Sequence, residues 1–137
     1  MNKIIVLKEP IDKISNASDL FLAIRKIEID HKKENFIVIT LNTKNQIINS
    51  YIVSIGTLNA SLIHPRETFR NAIMDNANSI ILAHNHPSGH LKPSEDDTKI
   101  TKVLVNAGDI LGIKILDHII FSDKDFLSLK EQNPDIF

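Results

Sequence analysis

Short apolar blocks separated by polar punctuation predict the elements of this chain. Residues 4–7, Ile-Ile-Val-Leu, predict a strand. Ser18 reads as a helix cap, with Leu20, Phe21, Ile24 and Ile27 falling on one helical face. The charged run from Asp30 to Glu34 divides this leader, residues 1–32, from a core at residues 33–131. Residues 36–41 predict a strand, residues 42–45 a turn and residues 46–55 the returning strand. Gly56 and Asn59 mark a loop. Pro65 suits the first position of a helix, because it has no N–H to leave unpaired there. That helix is expected to reach about Asn78, with Phe69, Ala72, Ile73 and Ala77 facing inward. Residues 79–83 are almost wholly apolar, as in a strand buried on both faces. A loop with Pro87, Gly89 and Pro93 leads to Ser94, which caps a helix running to about Asp109. Residues 113–121 predict another strand, and a short helix near residues 126–130 closes the chain. The order predicts an α/β (α+β) domain with a mixed sheet covered by helices, since the hairpin argues against a purely parallel sheet.

Length and composition narrow the field. The chain has 137 residues, one domain's worth, with 42% hydrophobic and 24% charged residues, a globular balance. Lys and Arg number 16 against 17 Asp and Glu, for a net charge of -1, so a tight sequence-independent grip on nucleic acid is not expected. The absence of Cys excludes disulfides, a thiol nucleophile and any Cys-ligated zinc. With no Trp and one Tyr there is no aromatic platform for stacking bases. The apolar run at residues 4–7 is too short for a signal peptide core, and no run reaches membrane-span length. The expected location is the cytoplasm.

The chemistry concentrates between His84 and Asp97. His84 and His86 stand two apart at a strand end, so both imidazoles point to one face. Asp97 falls in the first turn of the helix that Ser94 caps. Adjacent helical residues point about 100° apart, so only one of Asp96 and Asp97 can join the imidazoles. Two imidazole nitrogens and one carboxylate make a reasonable catalytic zinc shell, leaving a fourth position for water. The histidine pair alone is weak: six His in this chain give on the order of 0.2 such pairs by chance. Ser94 and Asp97 alone also fit an ordinary capping pair. Neither explanation covers the ordered string as a whole.

That string resembles a known family. His84-x-His86, seven residues, Ser94, two residues and Asp97 match the JAMM (MPN+) metalloprotease motif. The wider pattern is similar to the RadC branch of the JAB group. It comprises His-Asn-His-Pro-Ser-Gly at residues 84–89, Pro93-Ser94-x-x-Asp97, and Leu116-Asp117-His118-Ile119-Ile120. Gly56-Thr57-Leu58-Asn59 and His64-Pro65-Arg66-Glu67 also fit, and the resemblance spans roughly residues 33–129. One departure is His90, where the pattern often has Asp; it puts no ligand in doubt. The resemblance implies a cytidine-deaminase-like mixed sheet flanked by helices, holding Zn2+ through His84, His86 and Asp97. It also implies a Glu, just before the strand that leads the hairpin, which takes a proton from the attacking water and passes it to the leaving amine. Glu34 occupies that place. Glu67 is the alternative, and it also reads as a first-turn carboxylate favoured by the helix dipole. Ser94 matches the motif serine that helps hold the oxygen of a tetrahedral intermediate, a role compatible with capping. Asn85 reads as loop structure, His90 and His31 as solvated, and His64 as preceding or capping its helix. Asp117 and His118 alternate faces, so only one can support the metal from behind.

The leading functional reading is a zinc-dependent metallopeptidase or isopeptidase acting on an amide bond of a protein or peptide. A different class is a DNA-repair or mobile-element-associated binding module with a structural or vestigial zinc. Longer RadC proteins carry a DNA-binding helix-hairpin-helix region that this length cannot hold, which weakens that analogy. A nuclease or deaminase is a third reading, without the Cys pair typical of zinc deaminases. Glu34 discriminates, because a structural zinc needs no general base.

Overall fold

Helix α1 (Ala17–Ile24) precedes a hairpin of β1 (Asn35–Leu41) and β2 (Ile47–Ile55). Then come α2 (Pro65–Met74), β3 (Ser79–Asn85), α3 (Glu95–Leu111), β4 (Lys114–Phe121), β5 (Phe126–Ser128) and α4 (Leu129–Gln132). A 3-10 turn, Pro134–Ile136, follows α4. This computed structural model describes residues 13–59 and 61–137; the strand expected at residues 4–7 lies outside the described residues.

Among the described residues five strands form one mixed sheet in the order β2-β1-β3-β4-β5. β1 runs antiparallel to β2 and to β3, while β3 and β4 are parallel and joined by α3 as crossover. The expected run at 79–83 is indeed a strand buried throughout, because it lies third of five with a hydrophobic cluster on each face. One cluster packs Phe69 and Ala72 of α2 and Ile100 and Leu104 of α3 onto Phe36, Val38, Ile80 and Leu82. The other packs Leu20, Phe21 and Ile24 of α1 onto Ile37, Ile39, Ile81 and Ala83.

Several boundaries differ from expectation for identifiable reasons. The cap of α1 is Asn16, whose side chain accepts from the Asp19 N–H at 2.9 Å; Ser18 is already helical. Both residue types cap well, and the sequence offers them two positions apart. Ile27 lies beyond the helix but still packs on that cluster. α2 stops at Met74, where Asn76 takes a left-handed φ of 53° and the Ala77 N–H closes onto the Ala72 carbonyl. Ile73, still within the helix, is turned outward and 57% exposed, because the buried face of α2 runs through Thr68, Phe69 and Ala72. Residues 126–128 form a strand against β4 instead of a helix, and Ser128 then caps α4 by accepting from the Glu131 N–H.

One irregularity matters for the site. Ile80 pairs with Ile115, but Leu82 pairs with His118, so β4 spends one residue more than β3 over the same stretch. This bulge resets which β4 side chains face α3.

Candidate metal centre

His84 is the penultimate residue of β3, and His86 lies one residue past its end. His84 belongs to the face that carries Ile80 and Leu82, the face α3 covers, and is fully buried there. α3 brings Asp97 to the same point. Its start is fixed by a reciprocal capping box: the Asp97 N–H donates to Ser94 Oγ at 3.0 Å, and the Ser94 N–H donates to Asp97 Oδ2 at 2.8 Å. The box holds the carboxylate still, 2% exposed, against the imidazoles.

The three candidates converge closely. His84 Nε2 lies 2.9 Å from His86 Nε2 and 3.2 Å from Asp97 Oδ1. His86 Nε2 lies 3.3 Å from Asp97 Oδ2. This is the group among the described residues that could hold a metal ion. Its chemistry fits the cation the motif implies. His86 Nδ1 lies 2.6 Å from the His90 carbonyl, which can only accept, so Nδ1 carries the proton and Nε2 offers a lone pair. Two nitrogens and a carboxylate are a borderline-soft set suited to zinc, with a tetrahedral position to spare.

The electrostatics ask for positive charge. Burial alone would raise the Asp97 carboxyl, but positive charge on or between the His84 and His86 rings, together with the Ser94 N–H, holds it well below the usual carboxylate range. His86 is raised above the usual imidazole value, mainly by its hydrogen bond to Asp97, with Asp97 and Glu34 charges adding to it.

Behind the candidate ligands lies a buried polar chain. His84 Nδ1 is 2.8 Å from His118 Nε2, and His118 Nδ1 is 2.6 Å from Thr101 Oγ1. The Thr101 hydroxyl donates to the Asp97 carbonyl at 2.7 Å. Of the two β4 candidates it is His118 that backs the site. Asp117 accepts instead from Ser128 Oγ, at 2.6 Å, and from the Lys130 N–H, and burial pushes its carboxyl up. Thr101 was not among the residues singled out from sequence. Its place four residues after Asp97, on the same helical face, is the signal that would find it.

In front of the candidate ligands opens a cavity of about 730 Å³ into which Glu34, His86, Ser94 and Asp97 all face. Glu34 immediately precedes β1, and the loop after β2 clasps it. Its carbonyl accepts from the Gly56 N–H at 2.8 Å, and its Oε2 accepts from the Leu58 N–H at 2.9 Å. Glu67 sits exposed in the first turn of α2, away from this cavity. Asn85 is not loop structure. It is buried in β3, accepts from the Asn35 N–H at 2.7 Å and donates to the Lys33 carbonyl at 2.8 Å. It thereby ties the backbone on both sides of Glu34 to the strand that carries the histidines. His90 and His31 are exposed, as expected, and His64 stands at the N-cap of α2 without a side-chain cap bond.

Fold and site together define a mixed α/β domain with a possible metal centre where a central strand meets a crossover helix. A family model described as the RadC-like JAB domain matches residues 14–134, and the chain belongs to that family. Similar proteins include a UPF0758 protein of Methanosarcina mazei, 48% identical over 126 residues, 92% of this chain and 55% of the relative. A UPF0758 protein of Chlorobaculum tepidum is 47% identical over 119 residues, 87% of this chain and 54% of its own length. One of Caldanaerobacter subterraneus subsp. tengcongensis is 57% identical over 100 residues, 73% of this chain and 43% of its own length. The chain thus spans about half the length of these curated relatives. Among the described residues no helix is long and apolar enough to cross a membrane.

Proposed function

We propose that residues 1–137 act as one domain, a JAMM-type zinc hydrolase that cleaves an amide bond of a protein or peptide substrate. The observation that carries this reading is the position of Glu34. A carboxylate held by the Leu58 N–H faces the same cavity as His86, Asp97 and Ser94, although it lies far from them in sequence. A structural metal site has no use for such a group.

His84, His86 and Asp97 would hold zinc. Bound there, zinc would supply Lewis acidity and bring the pKa of water down toward about 7. Glu34 accepts the proton of the attacking water and returns it to the leaving amine. Ser94 Oγ spends a lone pair on the Asp97 N–H, so its own proton is available to the oxygen of the tetrahedral intermediate. Asn85 and the loop at Gly56 to Leu58 keep Glu34 aimed. A net charge of -1 and the absence of a base-stacking platform leave tight nucleic-acid binding out of the proposal. A chain without Cys needs no oxidising compartment, which suits the cytoplasm.

The test is metal analysis of the purified protein, followed by peptide and isopeptide library hydrolysis with Glu34→Gln and Glu67→Gln as paired variants. Wild type should carry one zinc. Glu34→Gln should keep the zinc and lose about 10²–10⁴-fold in rate, while Glu67→Gln keeps most of it. Stoichiometric zinc without any hydrolysis by the wild type would return the binding-module reading.

A further inference from the structure

We infer that the Thr101 hydroxyl sets the direction of the protons behind the ligands, and so is the positioning residue that keeps His84 Nε2 unprotonated and ready for a metal. The inference rests on the metal-centre reading above. It follows from what each atom in the chain can do. The Asp97 carbonyl only accepts, so at 2.7 Å it takes the single proton of Thr101 Oγ1. With that proton spent, Thr101 can only accept from its other neighbour, so His118 Nδ1 at 2.6 Å must be the protonated nitrogen. A fully buried neutral imidazole has one N–H, which leaves His118 Nε2 as an acceptor. The proton between it and His84 Nδ1, 2.8 Å away, therefore belongs to His84. His84 Nε2 is then bare, and it points at His86 Nε2 and Asp97 Oδ1.

The opposite direction also links Thr101 to Asp97 through both imidazoles. Thr101 would donate to His118, His118 Nε2 to His84 Nδ1, and His84 Nε2 to Asp97. That arrangement puts a proton where the metal must bind. What selects the first direction is the short contact between the Thr101 hydroxyl and the Asp97 carbonyl, which the opposite direction leaves as two acceptors facing each other. One ligand's backbone thus dictates the tautomer of another, across α3 and β4.

Thr101→Val keeps shape and removes the hydroxyl. His118 Nδ1–H would then face a methyl group, the chain would reverse, and His84 would have to change tautomer before ligating. Zinc affinity, measured by competition with a chromophoric chelator, should fall about 10–100-fold, the usual loss for a group that orients a metal-binding imidazole. Thr101→Ser should restore it, and metal-free melting should show both variants folded. Equal affinity in Thr101→Val and wild type would overturn the inference, as would equal weakness in Thr101→Ser and Thr101→Val. A measurement independent of the variants is the ring ¹⁵N spectrum of the zinc-free wild type, in which no metal on His84 imposes the tautomer. It should show His118 protonated at Nδ1, and protonation at Nε2 would overturn the inference. If the wild type binds no zinc at all, the metal-centre reading fails first, which separates the two failures.

Discussion

Asp97 carries two duties on one carboxylate. Its Oδ2 closes the capping box with the Ser94 N–H, and both of its oxygens lie within hydrogen-bond range of an imidazole. Asp96 lines the cavity but stands about 100° around the helix from Asp97. Asp97→Asn retains an oxygen for the box and loses the charge the imidazoles face. Zinc affinity should therefore fall by more than the roughly 10–100-fold cost of losing a supporting partner, while Asp96→Asn changes it little. Equal losses in a chelator competition would contradict this. His84 and His86 were legible in the sequence because the strand's period of two turns both to one face; the helix's first turn offered Asp96 and Asp97 alike, and the motif resemblance selected Asp97. The choice between Asp117 and His118 was not legible. Alternation says that one of them faces the site, but the extra β4 residue between Ile115 and His118 decides which, and no residue type announces that bulge.

Elements were legible to the extent that their own side chains define them. β3 shows as an unbroken apolar run because both its faces are covered. The strand at 126–128 is three residues long and owes its conformation to its partners Ile119, Ile120 and Phe121, so nothing local distinguishes it from a helix. α3 shows the converse, a strong helix with a weak helix former inside it. Gly108 sits where a Cβ would overlap the Ile113 carbonyl oxygen and lie 3.2 Å from the Phe69 ring. The chain turns at Gly112 and comes straight back past Gly108, whose carbonyl accepts from the Ile113 N–H at 2.9 Å. Helix propensity alone would favour Gly108→Ala by about 1 kcal/mol. Overpacking against backbone that leads directly into β4 costs about 1–3 kcal/mol or more, and it should win. Thermal unfolding of Gly108→Ala should begin several degrees lower; melting at or above the wild-type temperature would show that the approach is loose.

Across the molecule, the sheet divides labour between its faces. α1 closes one side over Ile37, Ile39 and Ile81, while α2 and α3 close the side that carries the site. The mixed sheet and its order of helices followed from the hairpin and the crossover, both visible as sequence blocks. The coupling of Glu34 to the loop after β2 and to Asn85 was not visible, because it joins residues from three separated segments and is made largely through backbone groups. The stretch from His84 to Asp97 has a different consequence, one that concerns the chain before it folds. One short loop separates the histidine pair from Asp97, so bringing the three candidates together costs little closure entropy even without the sheet. If the site takes zinc, the unfolded chain should therefore keep some grip on it. A metal that bound the native state alone would stabilise it by about 2.7 kcal/mol at a hundredfold excess over Kd. Here the gain, read from urea midpoints across a zinc titration, should fall short of that and level off as free zinc rises. A gain that tracks the full native-only value at every concentration would show that the unfolded chain holds no metal.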